Sequence, residues 1–539
     1  MTLSVLCVSL LVVNLDSTIL NVALPTIVRD LHASSSELQW IVDAYAVVFA
    51  GLLLVFGSMS DRIGRKKVFA AGLVLFALGS AAAAFSSSPD RLIAARAFMG
   101  IGAASIMPST LSILTNVFTD DESRARAIGV WSGTAGLGVA IGPIAGGWLL
   151  AHYWWGSVFL VNVPIVIGGL LASIWLVPES RNPSSTRPDP FGAALSMIGL
   201  GLLLWGIIEA PNRTWTSLPV LAALGAAAVL LTTFIFWERR CDHPMLEVSF
   251  FSSRRFSAAM VSMALVIFGL MGLLFLVTQW LQFSLGYSTF AAGIRIGPVA
   301  LVVLVVAPLS SMLAHRLGTK PVVAAGMVGI AAALLMLSRT TVTGTYAEAL
   351  PAFVLLGAGA GLAFAPSTEA VMGSVPRALA GVGAATNSTA LQVGGALGVG
   401  ILGSLLNTRY ESHISPYLAG HAIPASVKHL ITGSLGAALA VSHRVGGPLG
   451  TALSTLARRS FLNGMDLALT IGAAVVGIGV LVVVAMLPNR GAPASLDETS
   501  SLPGENPRSA RLDARQFGNR PGGRPHARKP ARRARVTPK

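Results

Sequence analysis

Charge is scarce in this sequence. Asp, Glu, Lys and Arg make up 11% of its 539 residues and hydrophobic residues 53%, whereas a soluble domain carries about 25% charge to cover its surface. A water-soluble globular chain is thereby excluded, and the bilayer is the solvent that this composition suits. Cysteine is scarcer still. Cys7 lies in an apolar stretch and Cys241 in a polar connection, which leaves neither a disulfide framework nor a cysteine metal cluster. The sequence has no His-Glu-x-x-His segment to hold zinc and no Gly-x-x-x-x-Gly-Lys-Ser/Thr loop to bind ATP. No metal and no cofactor is expected, a membrane-embedded enzyme or receptor has no clustered constellation to rest on, and any uphill work must draw on an ion gradient.

What is abundant is long apolar sequence. Fourteen windows, from Leu3–Ile27 to Met465–Leu487, are long enough to cross roughly 30 Å of hydrocarbon as helices. The first starts directly after Met1-Thr2 with no basic leader and contains Asn14 and Asp16, so it reads as a retained helix, not a signal peptide. The net charge of +15 does not point to nucleic acid, because Lys and Arg gather in alternate short connections and in the tail, as the positive-inside rule requires of cytoplasmic segments. Both termini are expected in the cytoplasm and the chain in a plasma membrane. The expected division is a six-helix bundle over 1–178, a linker with an inserted helix pair over 179–240, and a second six-helix bundle over 241–487 that includes a long outer connection, 407–464. In that connection the apolar segment Leu430–Ala440 is too short to span and is expected to pack on the outer face. Residues 488–539, rich in Pro, Arg, Gly and Ser, are expected to form a disordered basic cytoplasmic tail that fixes topology, with binding of anionic membrane lipid through Arg528, Lys529, Arg532, Arg533 and Arg535 as the alternative.

The connection after the second window reads Gly57-Ser-Met-Ser-Asp61-Arg62-Ile-Gly64-Arg65-Lys66-Lys67. A tight turn at Gly64, with an acid placed to pair with neighbouring basic groups, makes a charge-locked cytoplasmic latch. It resembles the signature loop of the major facilitator superfamily. Four further segments narrow the likeness: Leu15-Asp16 through Asn21 to Pro25, Arg96 through Gly100 and Gly102, Gly138 through Gly142-Pro143 to Gly146-Gly147, and Trp154-Trp155 through Asn162-Val-Pro164. Together they resemble the fourteen-helix drug:proton antiporters of the QacA and EmrB type, over roughly Leu3 to Leu487. The resemblance implies an all-α integral membrane fold of two six-helix bundles plus two inserted helices, rocking by alternating access around a central cavity. It also implies protons and lipophilic small molecules as partners. Gly138, Gly142 and Gly146 recur every fourth residue, which gives one smooth helix face for close packing.

Charges inside spans are costly and usually functional. Asp16 falls near mid-membrane. Asp43 and Arg96 each lie about 8 Å from the outer ends of their windows at helical rise, so they are expected to pair. An acid that exchanges a proton beside an arginine that stabilises its charged form suits proton coupling, which makes Asp16, Asp43 and Arg96 the candidate coupling residues. The second half departs from the QacA pattern: Val303 stands where those proteins carry an acid, and other acids are replaced by Asn387, Ser388 and Gln392, so a site for highly charged cations is not expected. Asn21, Gln279, Gln282, Asn387 and Gln392 are candidates for the substrate cavity and Glu369 for a gate. Export of drugs or antibiotics and export of an endogenous lipid, siderophore or metabolite share all these motifs.

Overall fold

The computed structural model describes residues 1–181, 189–241, 244, 246–342, 344–375, 380–420 and 423–489; most of the expected tail lies outside them. Its helices are α1 Thr2–Leu31, α2 Ser35–Ile63, α3 Arg65–Ala84, α4 Pro89–Val117, α5 Asp121–His152, α6 Ser157–Leu160, α7 Asn162–Leu176, α8 Pro190–Arg213 and α9 Leu218–Glu238. They continue with α10 Arg254–Gln279, α11 Thr289–Leu317, α12 Thr319–Ser338, α13 Tyr346–Met372, α14 Ala380–Ala419, α15 Ala425–Gly433, α16 Leu435–Val445 and α17 Gly447–Met486. A π-helical turn, Trp280–Ser284, extends α10. Helix is the dictated choice, since lipid offers backbone N–H and C=O groups no partners. Among the described residues thirteen segments are long and apolar enough to cross a membrane, α6 with α7 counting as one. Beside them stands α5, 32 residues long, packed between α1 and α11.

Two six-helix bundles result, and they repeat one another. In the first, α2 packs on α4, α1 on α5, and α3 on α4 and α7; in the second, α11 packs on α13, α10 on α14, and α12 on α13 and α17. The bundles meet through α2 against α14 and α5 against α11, the exchange that a two-fold relation produces. The repeat extends to single crossings. Gly102 of α4 rests on Gly72 and Phe76 of α3, as Gly359 of α13 rests on Gly326 and Ile330 of α12. Gly100 meets the Tyr45 carbonyl as Gly357 meets that of Val299. Gly138 and Gly142 approach the carbonyls of Leu11 and Leu15, as Gly394 and Gly398 approach those of Ala264 and Phe268. Without a hydrophobic driving force between helices in lipid, such backbone approaches supply the packing.

The inserted pair α8–α9 is asymmetric in its contacts. α8 packs on both α2 and α14, whereas α9 packs chiefly on α8, with only 17% of its apolar window buried, so its surface is left to lipid. The Ser404 hydroxyl donates to the Ile207 carbonyl at 2.7 Å and the Asn212 amide to the Ser36 hydroxyl at 2.9 Å, which ties α8 to both bundles along their seam.

The helices outrun the apolar windows around the outer connection. α14 and α17 are each 40 residues long, about 60 Å at helical rise, twice the hydrocarbon thickness. Hydropathy falls at Asn407 because the surroundings become aqueous, but the hydrogen-bond ladder needs no lipid to continue. Tyr410, Ile414, Leu418, Ile431, Leu435, Ala438, Leu453, Ala457 and Phe461 are buried there. α16 packs on α17 and α1, and Gly436 lies against Val28 and Phe283.

The glycine face of α5 gives a direct test. A Cβ at Gly142 would overlap the Thr18 hydroxyl, while nothing lies within 4 Å of one at Gly133. Gly142→Leu is expected to destabilise the folded transporter by about 1–3 kcal/mol or more, and Gly133→Ala to leave it unchanged, as read from thermal midpoints in detergent. Equal midpoints for the two variants would contradict close α1–α5 packing.

Candidate functional site

The buried polar centre of the first bundle is built from six elements, α1, α2, α3, α4, α6 and α7. Asp16, midway along α1, is fully buried, and Arg96 of α4 is 1% exposed. Arg96 Nη1 lies 2.5 Å from Asp16 Oδ2. Its Nε donates to the Ile41 carbonyl at 3.0 Å, and its guanidinium lies 4.3 Å from the centroid of the Tyr45 ring. The other carboxylate oxygen of Asp16 accepts from Asn162 Nδ2 at 3.0 Å, and the same nitrogen donates to Ser80 Oγ at 3.2 Å. The Ser80 hydroxyl in turn donates to the Phe159 carbonyl at 2.8 Å. Pro164, the third residue of α7, has no N–H to give the Leu160 carbonyl, and the helix is interrupted at Val161 between α6 and α7.

The expected Asp43–Arg96 pair is not formed; Arg96 pairs with Asp16. Depth was a fair guide but helix azimuth decides. Ile41 and Tyr45, which hold Arg96, are one turn apart on one face of α2, and Asp43, two residues from each, points about 160° away. It faces α14 and α8 instead: Gly400 approaches Asp43 Oδ2 together with Leu204 and Ile208. Asp43 is fully buried, and neither carboxylate oxygen has a hydrogen-bond partner among the described residues. Gln39, one turn earlier, lies against Gly403 with its amide nitrogen likewise unpartnered. The structure thus separates the three coupling candidates into an ion pair inside one bundle and a lone carboxyl at the seam between bundles.

The latch loop forms at the opposite ends of these helices. Gly64 has φ 137°, a conformation that disfavours side chains. Asp61 and Arg65 pair at 2.7 Å, Gly57 sits near Pro108, and Arg62 is exposed. Sequence reasoning missed the loop's clasp, Glu179, whose carboxylate accepts from the Lys66 backbone N–H at 3.1 Å and lies against Gly64. The Ser180 carbonyl accepts from Arg65 N at 2.9 Å, and the Lys66 ammonium donates to the Ile174 carbonyl at 2.8 Å. The second bundle repeats the arrangement: Gly318 has φ 100°, Asn489 lies against it, and Thr319 N donates to the Asn489 carbonyl at 3.1 Å. Val177-Pro178-Glu179 and Leu487-Pro488-Asn489 were the available signal.

The close approaches between bundles lie away from the Gly64 face. Gly147 meets Thr289 and Phe290, Gly293 meets the Pro143 carbonyl, and Gly400 and Gly403 meet Asp43 and Gln39. Gly138, Gly142 and Gly146 face α1 while Pro143 and Gly147 face α11, so one motif serves two interfaces. Of the cavity candidates, Gln282 crosses to the first bundle and donates to the Val22 carbonyl at 2.9 Å, beside buried Asn21, whose amide oxygen has no partner among the described residues. Gln279 bonds back to the Phe275 carbonyl at 3.1 Å. Asn387 is buried and Gln392 half-buried on α14, apart from those residues. Glu369 is exposed three residues before the end of α13.

A two-fold pair of six-helix bundles, closed at one face and holding charge inside the first bundle, defines a multi-pass membrane transporter. The chain belongs to the Major Facilitator Superfamily, whose family model matches residues 6–399. It is 34% identical over 478 residues to the multidrug efflux pump LfrA of Mycolicibacterium smegmatis, covering 88% of this chain and 93% of that one. It is 32% identical to the tetracenomycin C resistance and export protein of Streptomyces glaucescens, covering 88% and 89%. It is 33% identical to the methyl viologen resistance protein SmvA of Salmonella typhimurium, covering 87% and 94%. Among solved structures, a bacterial homologue of the human lysosomal transporter Spinster, inward-facing and unoccupied, shares the fold with a TM-score of 0.62 at 17% identity, over 92% of this chain and 98% of that one.

Removing one partner of a buried ion pair strands the other charge. Arg96→Met is expected to cost about 3–5 kcal/mol, seen as a lowered thermal midpoint, and Asp16→Asn combined with Arg96→Met to recover most of it. A double variant as unstable as Arg96→Met would show that the pair is not what stabilises this centre.

Proposed function

We propose that this transporter is a proton-coupled exporter of drugs and antibiotics in the bacterial inner membrane, with both termini in the cytoplasm. The relatives' export and resistance roles support the substrate class, and the observation that carries the coupling is the Asp16–Arg96 pair, buried in lipid-embedded helices where an ion pair adds little stability over apolar packing and is usually retained for function. With the Gly64 face in the cytoplasm, the closed face is the outer one, and the conformation is inward-facing. Protonation of Asp16 frees Arg96 from its partner, and loss of that proton restores the pair, so the charge state of one carboxyl is tied to the packing of α1 against α4. At the seam an ionised Asp43 without a partner costs several kcal/mol, so a proton on Asp43 and a closed α2–α14 contact go together. Asn21, Gln279, Gln282, Asn387 and Gln392 contribute polar groups for lipophilic substrates, and Glu369 stands at the inner end of α13 as a gate residue. Acids are absent from the described mid-span positions of the second bundle, which favours neutral and singly charged substrates.

Inside-out vesicles test the coupling. Dye accumulation driven by a pH gradient is expected to collapse with an uncoupler, and Asp16→Asn to bind dye yet lose uphill transport, for a neutral dye as for a cationic one. Wild-type uphill flux by Asp16→Asn across pH 6 to 8 would refute Asp16 as the coupling acid, and loss for cations alone would make it a substrate counter-charge. At the latch, Arg65→Ala and Glu179→Ala are expected to slow transport several-fold with dye affinity within about 2-fold of wild type. Parallel loss of affinity and transport would show that the loop serves binding, not switching.

A further inference from the structure

The two bundles share their crossings, so each position of the polar centre has a counterpart. The register set by Leu11 with Ala264, Gly72 with Gly326, Gly102 with Gly359 and Pro178 with Pro488 places Asp16 opposite Gly269, Ser80 opposite Leu334, Arg96 opposite Phe353 and Asn162 opposite Gly472. These counterparts converge as the polar residues do. A Cβ on Gly269 would lie 3.8 Å from Leu334 and one on Gly472 3.7 Å from the same side chain, and Leu334 and Phe353 are buried. The same six-helix architecture therefore forms this junction without an ion pair or an amide, since Gly269, Leu334, Phe353 and Gly472 are all apolar. The fold does not require the network in the first bundle, including its least obvious member, Asn162.

The hydrogens in that network are fully assigned by the chemistry of the groups. The Ser80 proton goes to the Phe159 carbonyl, so Ser80 Oγ can only accept from Asn162. The Asn162 amide has two N–H groups, one for Ser80 and one for Asp16 Oδ1, and its own oxygen is buried with no partner among the described residues. Turning the amide over would aim that oxygen at a carboxylate and at a hydroxyl already committed elsewhere. Ser80 thus holds the amide in the one orientation that donates to Asp16. A donor to the ionised form favours that form, and here it adds to the contribution of Arg96. The ionisable groups facing Asp16 are Arg96 from α4 and Tyr45 from α2. α3 and α7 present Ser80 and Asn162, and α5 presents Gly138 and Gly142 near Leu15 and Thr18.

We propose that Asn162, oriented by Ser80, is a positioning residue that favours the ionised carboxylate of Asp16 and thereby sets the pH range of coupled export. This rests on the reading of Asp16 as the coupling acid. The experiment measures pH-gradient-driven accumulation of ethidium and of Nile red in inside-out vesicles from pH 5.5 to 9, for wild type, Asn162→Leu, Ser80→Ala and Asp16→Asn, with dye affinity measured on each purified protein. Asn162→Leu removes the donor at similar volume and is expected to move the pH midpoint of uphill transport toward alkaline pH by about one unit, with KM within about 3-fold of wild type. Ser80→Ala frees the amide to turn and is expected to move the midpoint in the same direction by less. Midpoints equal to wild type in both variants, with Asp16→Asn inactive, overturn the role of Asn162 alone; wild-type uphill transport by Asp16→Asn overturns the coupling reading beneath it. Should Asn162→Leu fail to insert, an unshifted Ser80→Ala is sufficient to reject the proposal.

Discussion

Arg96 cannot stand alone where it is. A guanidinium in the hydrocarbon region must find a counter-charge and acceptors within the protein, and α1, α2, α6 and α7 are arranged around that requirement. Asp16 supplies the charge, the Ile41 carbonyl accepts from Nε, the Tyr45 ring offers its face, and Asn162 completes the carboxylate. Helices α1, α2 and α7 thus meet α4 at one buried ion pair, and α3 joins it through Ser80.

The second bundle shows what happens without that requirement. Its counterparts Gly269, Leu334, Phe353 and Gly472 pack by shape, and the buried polar contacts it does make include the neutral Ser262–Ser367 hydroxyl pair at 2.8 Å. The pattern is a duplicated scaffold with the buried ion pair in one half and an apolar junction at the matching place in the other. At the seam, Asp43 and Gln39 of the first bundle have buried polar atoms without a partner among the described residues, and α14 meets them with Gly400 and Gly403. α8, bonded to both sides of the seam, keeps lipid away from Asp43, which gives the inserted pair a structural reason to exist.

The seams share one limitation and one solution. Helices in lipid gain little from burial, so they approach until backbones touch, and Gly138, Gly142 and Gly146 allow this against α1 as Gly394 and Gly398 do against α10. The closed face is built in the same way, with Gly147 and Gly293 admitting α11 to α5. Glycine spacing thus serves both permanent contacts within a bundle and the contacts between bundles that must separate. The former are continuous along the helix, while the latter are confined to one half of it.

Sequence alone determined the class, the apolar spans and the turn at Gly64, because each depends on local or one-dimensional information. Span length follows from apolar run length, Gly64 from the need for positive φ, and the Asp61–Arg65 pair from their spacing of one helical turn. It also placed Asp16 and Arg96 in the membrane. Depth along a helix is readable from residue number, but the direction in which a side chain points relative to neighbouring helices is not, and that direction assigned Arg96 to Asp16 and turned Asp43 to the seam. Glu179 escaped for a related reason, since it meets Gly64 only after the intervening helices α3 to α7 have folded back. Asn162 was visible as part of a motif, yet only the bundle brought its amide to Asp16, because the contact joins residues 146 positions apart.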